Sequence, residues 1–407
     1  MSDAQGSIRY VVWELTLRCD LACDHCGSRA GRPRENELTT EEALAVVAQL
    51  RALGVIEVTL IGGEAYLHAG FEAVARAIVA AGIRCGVGTG GRGITRERAR
   101  LFADIGVCAV GVSIDGDREA HDLQRGVRGS YDSALAAVDN LREAGVSFGF
   151  NTQINRVSAA HLEAVYELLV AKGGDGWQLQ ITVPMGRAAD RPEWLLQPYE
   201  LIELFPRLAA LAARATERGI VFQPANVVGY FGPYQVELKQ GDPERVFRGC
   251  PAGHHGLGIE ADGGVKGCPS LPSEAYRGGT TRDASLRDLV AHAPELRFTR
   301  EDRTRELWGY CARCYYGPVC QGGCSWMAHA LFGRRGNNPY CHHRALELQR
   351  EGLRERVVLR ERAPGRPFDY GRFELVLERW DGSAMDEPVI AREPVTEEKR
   401  RRLRVVP

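Results

Sequence analysis

Between residues 11 and 182 the sequence alternates short β-branched runs with longer helical patterns, and this alternation constrains the fold more than any other feature of the chain. The strand-like runs are VVWELTL (11–17), EVTLIGG (57–63), RCGVGTG (84–90), CAVGVSID (108–115), SFGFNTQI (147–154) and DGWQLQIT (175–182). The intervening helix that starts at Thr40 has the fullest signature. Thr39 and Glu42 match a capping box, Ala43, Val46, Val47, Leu50 and Leu53 share one face, and Gly54 ends the run. Strand-helix units joined by right-handed crossovers build a parallel sheet, either doubly wound or curled as a partial barrel. Functional residues then belong at the C-terminal strand ends. Residues 198–218 add a further helix.

The 407 residues exceed the roughly 250 at which single cores stop growing, so more than one domain is expected. The texture divides the chain into residues 1–218, a Gly-rich and cysteine-bearing region 219–348, and a charged tail 349–407. The tail holds one strand candidate, FELVLERW, ends in KRRRLRVVP, and reads as a solvated extension. With 52 basic and 53 acidic side chains, the balance gives no electrostatic reason to expect nucleic acid or an anionic membrane as partner. No apolar run approaches the about 18 residues of a membrane span, and MSDAQGSIRY lacks a signal-peptide pattern, so a cytoplasmic location is expected. In that compartment twelve cysteines point to metal rather than to disulfides.

Directly after the first strand run, Cys19, Cys23 and Cys26 follow the spacing C-x3-C-x2-C. A closed structural zinc site takes four ligands, whereas three thiolates on a four-iron cube leave one iron free for a small molecule. A zinc knuckle completed by His25 and a redox thiol cluster are the alternatives these residues leave open. After the second run comes IGGEAYL with Gly62, Gly63 and Glu64. The fourth ends in SIDG and is followed by HDLQRGVRGSY, which supplies Ser113, Asp115 and Arg125; the third carries Thr89 to Gly91 and the fifth Asn151.

These motifs resemble the radical S-adenosylmethionine (SAM) superfamily. The resemblance implies a partial (β/α)6 TIM-like barrel in which Cys19, Cys23 and Cys26 bind a [4Fe-4S] cluster whose fourth iron chelates SAM. His25, where the family usually has an aromatic residue, keeps a flat ring near the adenine. Gly62, Gly63 and Glu64 would hold the methionine amino group, with Ser113 and Arg125 near the carboxylate, Asp115 close by, and Asn151 at the ribose.

The remaining clustered cysteines are Cys250 and Cys268, with Gly263 five places before the latter, then Cys311, Cys314, Cys320 and Cys324 at C-x2-C-x5-C-x3-C, and Cys341. This plan is similar to the seven-cysteine SPASM extension of radical SAM enzymes that modify peptides, although a zinc ribbon also fits the central four. The resemblance implies a small iron-sulfur domain with two auxiliary [4Fe-4S] clusters, one on Cys250, Cys268 and Cys324, the other on Cys311, Cys314, Cys320 and Cys341. Ten cysteines and SAM fill eleven of twelve iron positions. The last iron would be open to substrate or take Glu244, His254 or His255.

The resemblance further implies a 5'-deoxyadenosyl radical that abstracts hydrogen from a ribosomally made precursor peptide, giving a cross-link, oxidation, epimerisation or decarboxylation. An electron donor such as flavodoxin or ferredoxin is implied. Only about ten residues precede the first strand run, so leader recognition is expected to need a separate leader-binding protein or another surface of the chain. The alternatives are the same chemistry on a small metabolite, maturation of a folded enzyme and, from another class, a zinc-binding scaffold. Cys85 and Cys108 read as core thiols. His68, His121 and His161 read as structural, and His342 and His343 as neighbours of the cluster at Cys341.

Overall fold

A computed structural model describes residues 8–385 apart from 229, 230, 243, 245 and 246. Six strands, β1 (Tyr10–Thr16), β2 (Glu57–Gly62), β3 (Arg84–Thr89), β4 (Ala109–Ser113), β5 (Phe148–Ile154) and β6 (Gly176–Ile181), coincide with the expected runs except at their ends. They lie side by side in sequence order, all parallel. Between them run α1 (Thr40–Leu53), α2 (Phe71–Ala80), α3 (Arg96–Ile105), α4 (Arg118–Arg125), α5 (Ser130–Glu143) and α6 (Leu162–Lys172); α7 (Leu201–Glu217) follows β6. At α1 the Thr39 hydroxyl accepts from the Glu42 N–H (3.2 Å), and the Glu42 carboxylate accepts from the Thr39 N–H (2.8 Å). Gly54 closes the helix in the left-handed region at φ 79°.

Period-two alternation decides the two faces of the sheet. One face carries Val11, Trp13 and Leu15 of β1, Phe148 and Phe150 of β5, and Trp177, Leu179 and Ile181 of β6, all buried in one core with the apolar stripes of the helices. The other carries small or polar residues, among them Glu14, Thr59, Gly86, Gly111, Gly149, Asn151, Gln178 and Gln180. These cannot fill the inside of a barrel. They line a cavity of about 710 Å³ whose walls run from β1 to β7 (Val221–Pro224), the strand parallel to β6.

The sheet does not stop at the expected boundary after residue 218. Besides β7, the cysteine-rich region adds β8 (Gly256–Ile259), parallel to β1, then β9 (Gly264–Lys266) and β10 (Arg277–Thr280), both antiparallel to their neighbours. The expected cysteine loops are therefore rooted on the barrel wall beside β1.

The reading of the tail as solvated needs correction for the hairpin within residues 353–379. β11 (Leu353–Glu361) and β12 (Arg372–Arg379) form an antiparallel hairpin. Leu353, Glu355 and Val357 alternate into the interior, where Glu355 meets the buried Arg344 guanidinium at 2.6 Å. The Gln197 amide holds both backbone groups of Val357, at 2.7 and 3.3 Å. The charges of LRERVVLRE concealed a period-two strand whose Arg354, Arg356 and Arg360 pair with Glu378 and Glu374 of β12. The basic end KRRRLRVVP lies outside the described residues. Among the described residues no helix is long and apolar enough to cross a membrane.

Candidate active site

The loop after β1 folds over the C-terminal strand ends and is pinned by backbone bonds. Ala22 and Asp24 donate to the carbonyls of Arg125 and Gln124, at 3.1 and 2.9 Å, and Cys19 donates to Gly31 at 3.3 Å. Cys19, Cys23 and Cys26, none in a disulfide, line one chamber of about 310 Å³. His25, Gly62, Gly63, Glu64, Ser113, Arg125 and Asn151 line it too. Thr89 and Gly90 line it as well, but not Gly91, and Asp115, expected close by, is fully buried against the Arg125 guanidinium at 2.5 Å.

Gly62 and Gly63 are required by close approach. A Cβ on Gly62 would stand 2.1 Å from the Thr16 carbonyl oxygen, and one on Gly63 would stand 2.0 Å from that of Arg18, the residue before Cys19. Instead the backbone N–H groups of Gly63 and Glu64 donate to those same carbonyls at 2.8 and 2.7 Å. Gly63→Ala is expected to destabilise the protein by about 1–3 kcal/mol, since backbone must move to admit the methyl. It should also lower the iron bound at reconstitution. Iron content and a urea midpoint equal to those of the unsubstituted protein would show the contact to be unimportant.

Glu64 is buried, and its two carboxylate oxygens accept from the Thr89 hydroxyl and the Gly90 N–H, both at 2.6 Å. Burial pushes its carboxyl up to about 7 against those two bonds. An ammonium group arriving in the chamber would restore the ionised form, because an opposite charge favours it. One ligand atom each from Cys19, Asp20 and Glu64 lie within 4.8 Å of one another.

Asp115 sits behind the chamber wall. Burial alone would raise its carboxyl; the Arg125 guanidinium at 2.5 Å holds it below the ordinary range. The same guanidinium lies 3.8 Å from the Cys23 sulfur, so it faces the thiol cluster as a fixed positive charge. His25 lies 3.7 Å from Asp115, and burial, followed by Arg125, lowers it to about 4. It is a neutral ring. His121 holds the Asp115 backbone N–H through Nδ1 at 3.2 Å, a structural role.

Sequence reasoning missed Arg187, in the loop after β6. It donates from Nε to the Cys23 carbonyl (2.6 Å), from Nη1 to that of Ala30 (3.1 Å) and from its backbone N–H to that of Cys26 (2.9 Å). A lone arginine in an Arg-rich chain carries no signal of this clamp. Glu14 was readable: it interrupts the apolar run VVWELTL on the inward parity of β1. It shares a buried ionic cluster with Arg34 (2.9 Å), while Arg34 (3.1 Å) and Lys266 (3.1 Å) both reach Glu260. Glu14, Glu260 and Lys266 line the larger cavity with Met185, Trp326 and Phe368. Ile61, Gly62, Gly88, Asn151, Gln178 and Gln180 wall both chambers.

Of the second cysteine set, Cys311, Cys314, Cys320 and Cys341 line a single small cavity with Tyr310, Tyr316 and His343. Cys250, Cys268 and Cys324 form the other group. Burial and then the neighbouring Cys250 raise both Cys324 and Cys268, the latter to about 11. Nε2 of His254 donates to the Thr299 carbonyl oxygen at 2.8 Å, so iron at Nε2 would break that bond, and Glu244 is exposed. His342 packs against Phe205 and Tyr234. Cys85 is buried in the core.

Three thiols around one chamber, a backbone cradle without Cβ atoms, and a buried carboxylate beside Cys19 fit a cluster with a small ammonium-bearing ligand. Known proteins agree. The model of the Radical SAM superfamily matches residues 13–169. An AdoMet-dependent heme synthase of Methanosarcina barkeri is 30% identical over 348 residues, which cover 83% of this chain and 97% of that protein. Mycofactocin maturase MftC of Mycolicibacterium smegmatis is 28% identical over 326 residues, 79% of each chain. In fold, the chain is similar to Streptococcus suis SuiB bound to the precursor peptide SuiA, with a TM-score of 0.63, 16% identity, and coverage of 82% of this chain and 75% of that one. The cysteine loop on β1, the parallel sheet that carries it and these likenesses have one explanation: the chain belongs to the radical SAM superfamily, among the enzymes with a SPASM-type cysteine-rich region.

Proposed function

We propose that this enzyme abstracts hydrogen from a ribosomally made precursor peptide and so installs a post-translational modification. The observation that carries the reading is the shared wall: the three-cysteine chamber and the 710 Å³ cavity have six residues in common, so a ligand in one abuts a ligand in the other. When bound, the cluster supplies an electron that splits SAM to a 5'-deoxyadenosyl radical. The residues of the chain hold and shield it. Cys19, Cys23 and Cys26 would ligate iron, Glu64 would accept from the SAM ammonium, and Ser113, Asn151 and Arg125 line the remaining walls. Asp115 keeps Arg125 in place. Ten cysteines in all would hold three clusters, the two auxiliary ones in the region after residue 219.

The maturase MftC and the peptide-bound SuiB support a peptide substrate. The likeness to a heme synthase over 83% of the chain favours a second reading, a carboxylate-bearing tetrapyrrole in the same cavity. One experiment separates them. Anaerobically reconstituted enzyme with SAM and reductant is given either a peptide encoded beside its gene or a carboxylated iron porphyrin, and the products are weighed. A mass change in the peptide supports the first reading; a change only in the porphyrin overturns it.

A further inference from the structure

The segment between β11 and β12 leaves the hairpin and reaches back to the three-cysteine loop. Oδ1 of Asp369 accepts from Nε of Arg29 at 2.7 Å, and Oδ2 accepts from the backbone N–H groups of Gly365 and Arg366 at 2.5 and 2.9 Å. Its carbonyl oxygen accepts from the Gly186 N–H at 2.7 Å, directly before the Arg187 clamp. Met185 forms an antiparallel bridge with Tyr370. Arg29 lies three residues after Cys26. Its guanidinium also grips Asp190 at 2.6 and 3.0 Å.

Arg29 and Phe368 both adopt left-handed backbone, at φ 51° and 58°. Side-chain-bearing residues keep that conformation only where their surroundings over-determine it. Phe368 is held over the Lys266 ammonium at 4.0 Å and lines the larger cavity. The Tyr370 hydroxyl meets Nε2 of His329 at 3.0 Å, on the helix Ser325–Phe332 that begins after Cys324. One short segment thus ties the triad loop, the loop after β6 and the cysteine-rich region.

We propose that Asp369 is a positioning residue for the three-cysteine loop, acting through Arg29, so that the C-terminal hairpin governs how firmly that loop holds its iron. The proposal rests on the assignment of Cys19, Cys23 and Cys26 as ligands. It is tested on reconstituted holoenzyme exposed to an iron chelator, with the N-terminal cluster followed by the change that SAM induces in its electron paramagnetic resonance spectrum after reduction. Asp369→Asn, which keeps an acceptor for Gly365 and Arg366 but loses the charge on Arg29, is expected to speed loss of that signal about tenfold, the scale of an outer partner of a metal site. Arg29→Ala should do the same. The double variant should be no faster than either single one, while the auxiliary clusters keep their original loss rate. Unchanged loss in Asp369→Asn, multiplying effects in the double variant, or equal acceleration at all clusters would each overturn the proposal. Absence of any SAM-responsive signal in the unsubstituted enzyme would instead overturn the ligand assignment, so the two failures are told apart.

Discussion

Enzyme carrying Cys23→Ala is expected to release no detectable 5'-deoxyadenosine from SAM, a loss well beyond the about hundredfold that outer partners of a metal site command. Cys23 is the buried member of the triad and the one facing the Arg125 guanidinium. Its removal leaves two thiols where a four-iron cube needs three to stay bound while one iron remains open. The control is Cys85→Ala, which removes a thiol from the core layer of β3 outside every chamber and should keep its iron and its activity. Release measured by chromatography under strictly anaerobic conditions decides. Continued turnover in Cys23→Ala would remove the basis of the site.

Glu260→Gln should cost about 3–5 kcal/mol of stability, the scale for removing one partner of a buried ionic group. Its carboxylate accepts from Arg34 (3.1 Å) and from Arg277 (3.0 Å), takes a further bond from Ser273, and pairs with the fully buried Lys266 (3.1 Å). Asp262 and Glu14 complete the charged surroundings. Glutamine leaves the fully buried Lys266 and the largely buried Arg34 with less negative charge beside them. The pH dependence has a definite sign. Burial would raise the Glu260 carboxyl, but Lys266 and then Arg34 hold it at about 2, below its ordinary 4.5. A depressed carboxyl stabilises the fold above the ordinary value and loses that contribution as pH falls toward the folded value. The deficit of the variant in urea midpoint should therefore be full at neutral pH and shrink on acidification through that window. A deficit under about 1 kcal/mol, or one independent of pH, would mean that the cluster does not tie Arg34 and Lys266 to Glu260 in the folded state.

How much of this was legible beforehand depended on whether a residue's role is local. Cys19, Cys23 and Cys26 carry their signal in spacing along the loop after β1, and Gly62, Gly63 and Glu64 carry theirs as neighbours at the end of β2, because a shared ligand and close backbone approach each demand fixed local intervals. The six strands were legible because β-branched alternation is imposed residue by residue. Asp115 was expected close by, but that it lies behind Arg125 rather than on the chamber wall was not legible, since a buried carboxylate and a lining one have the same sequence context. Arg187, Arg29 and Asp369 belong to segments distant along the chain, and single charged residues in an Arg-rich sequence have no periodicity to betray a partner.

The sequence by itself determined the parallel sheet, the loop that bears the three thiols and the glycines at the end of β2 that permit close backbone approach, since these follow from local alternation and from short fixed spacings. Only the tertiary structure decided that β8 to β10 extend the sheet past β1, that the inward face stays unfilled as a cavity, and that the segment between β11 and β12 reaches the cysteine loop through Asp369 and Arg29. Those outcomes depend on which distant charges and backbone groups can satisfy one another once buried, a condition that exists only when the chain has folded.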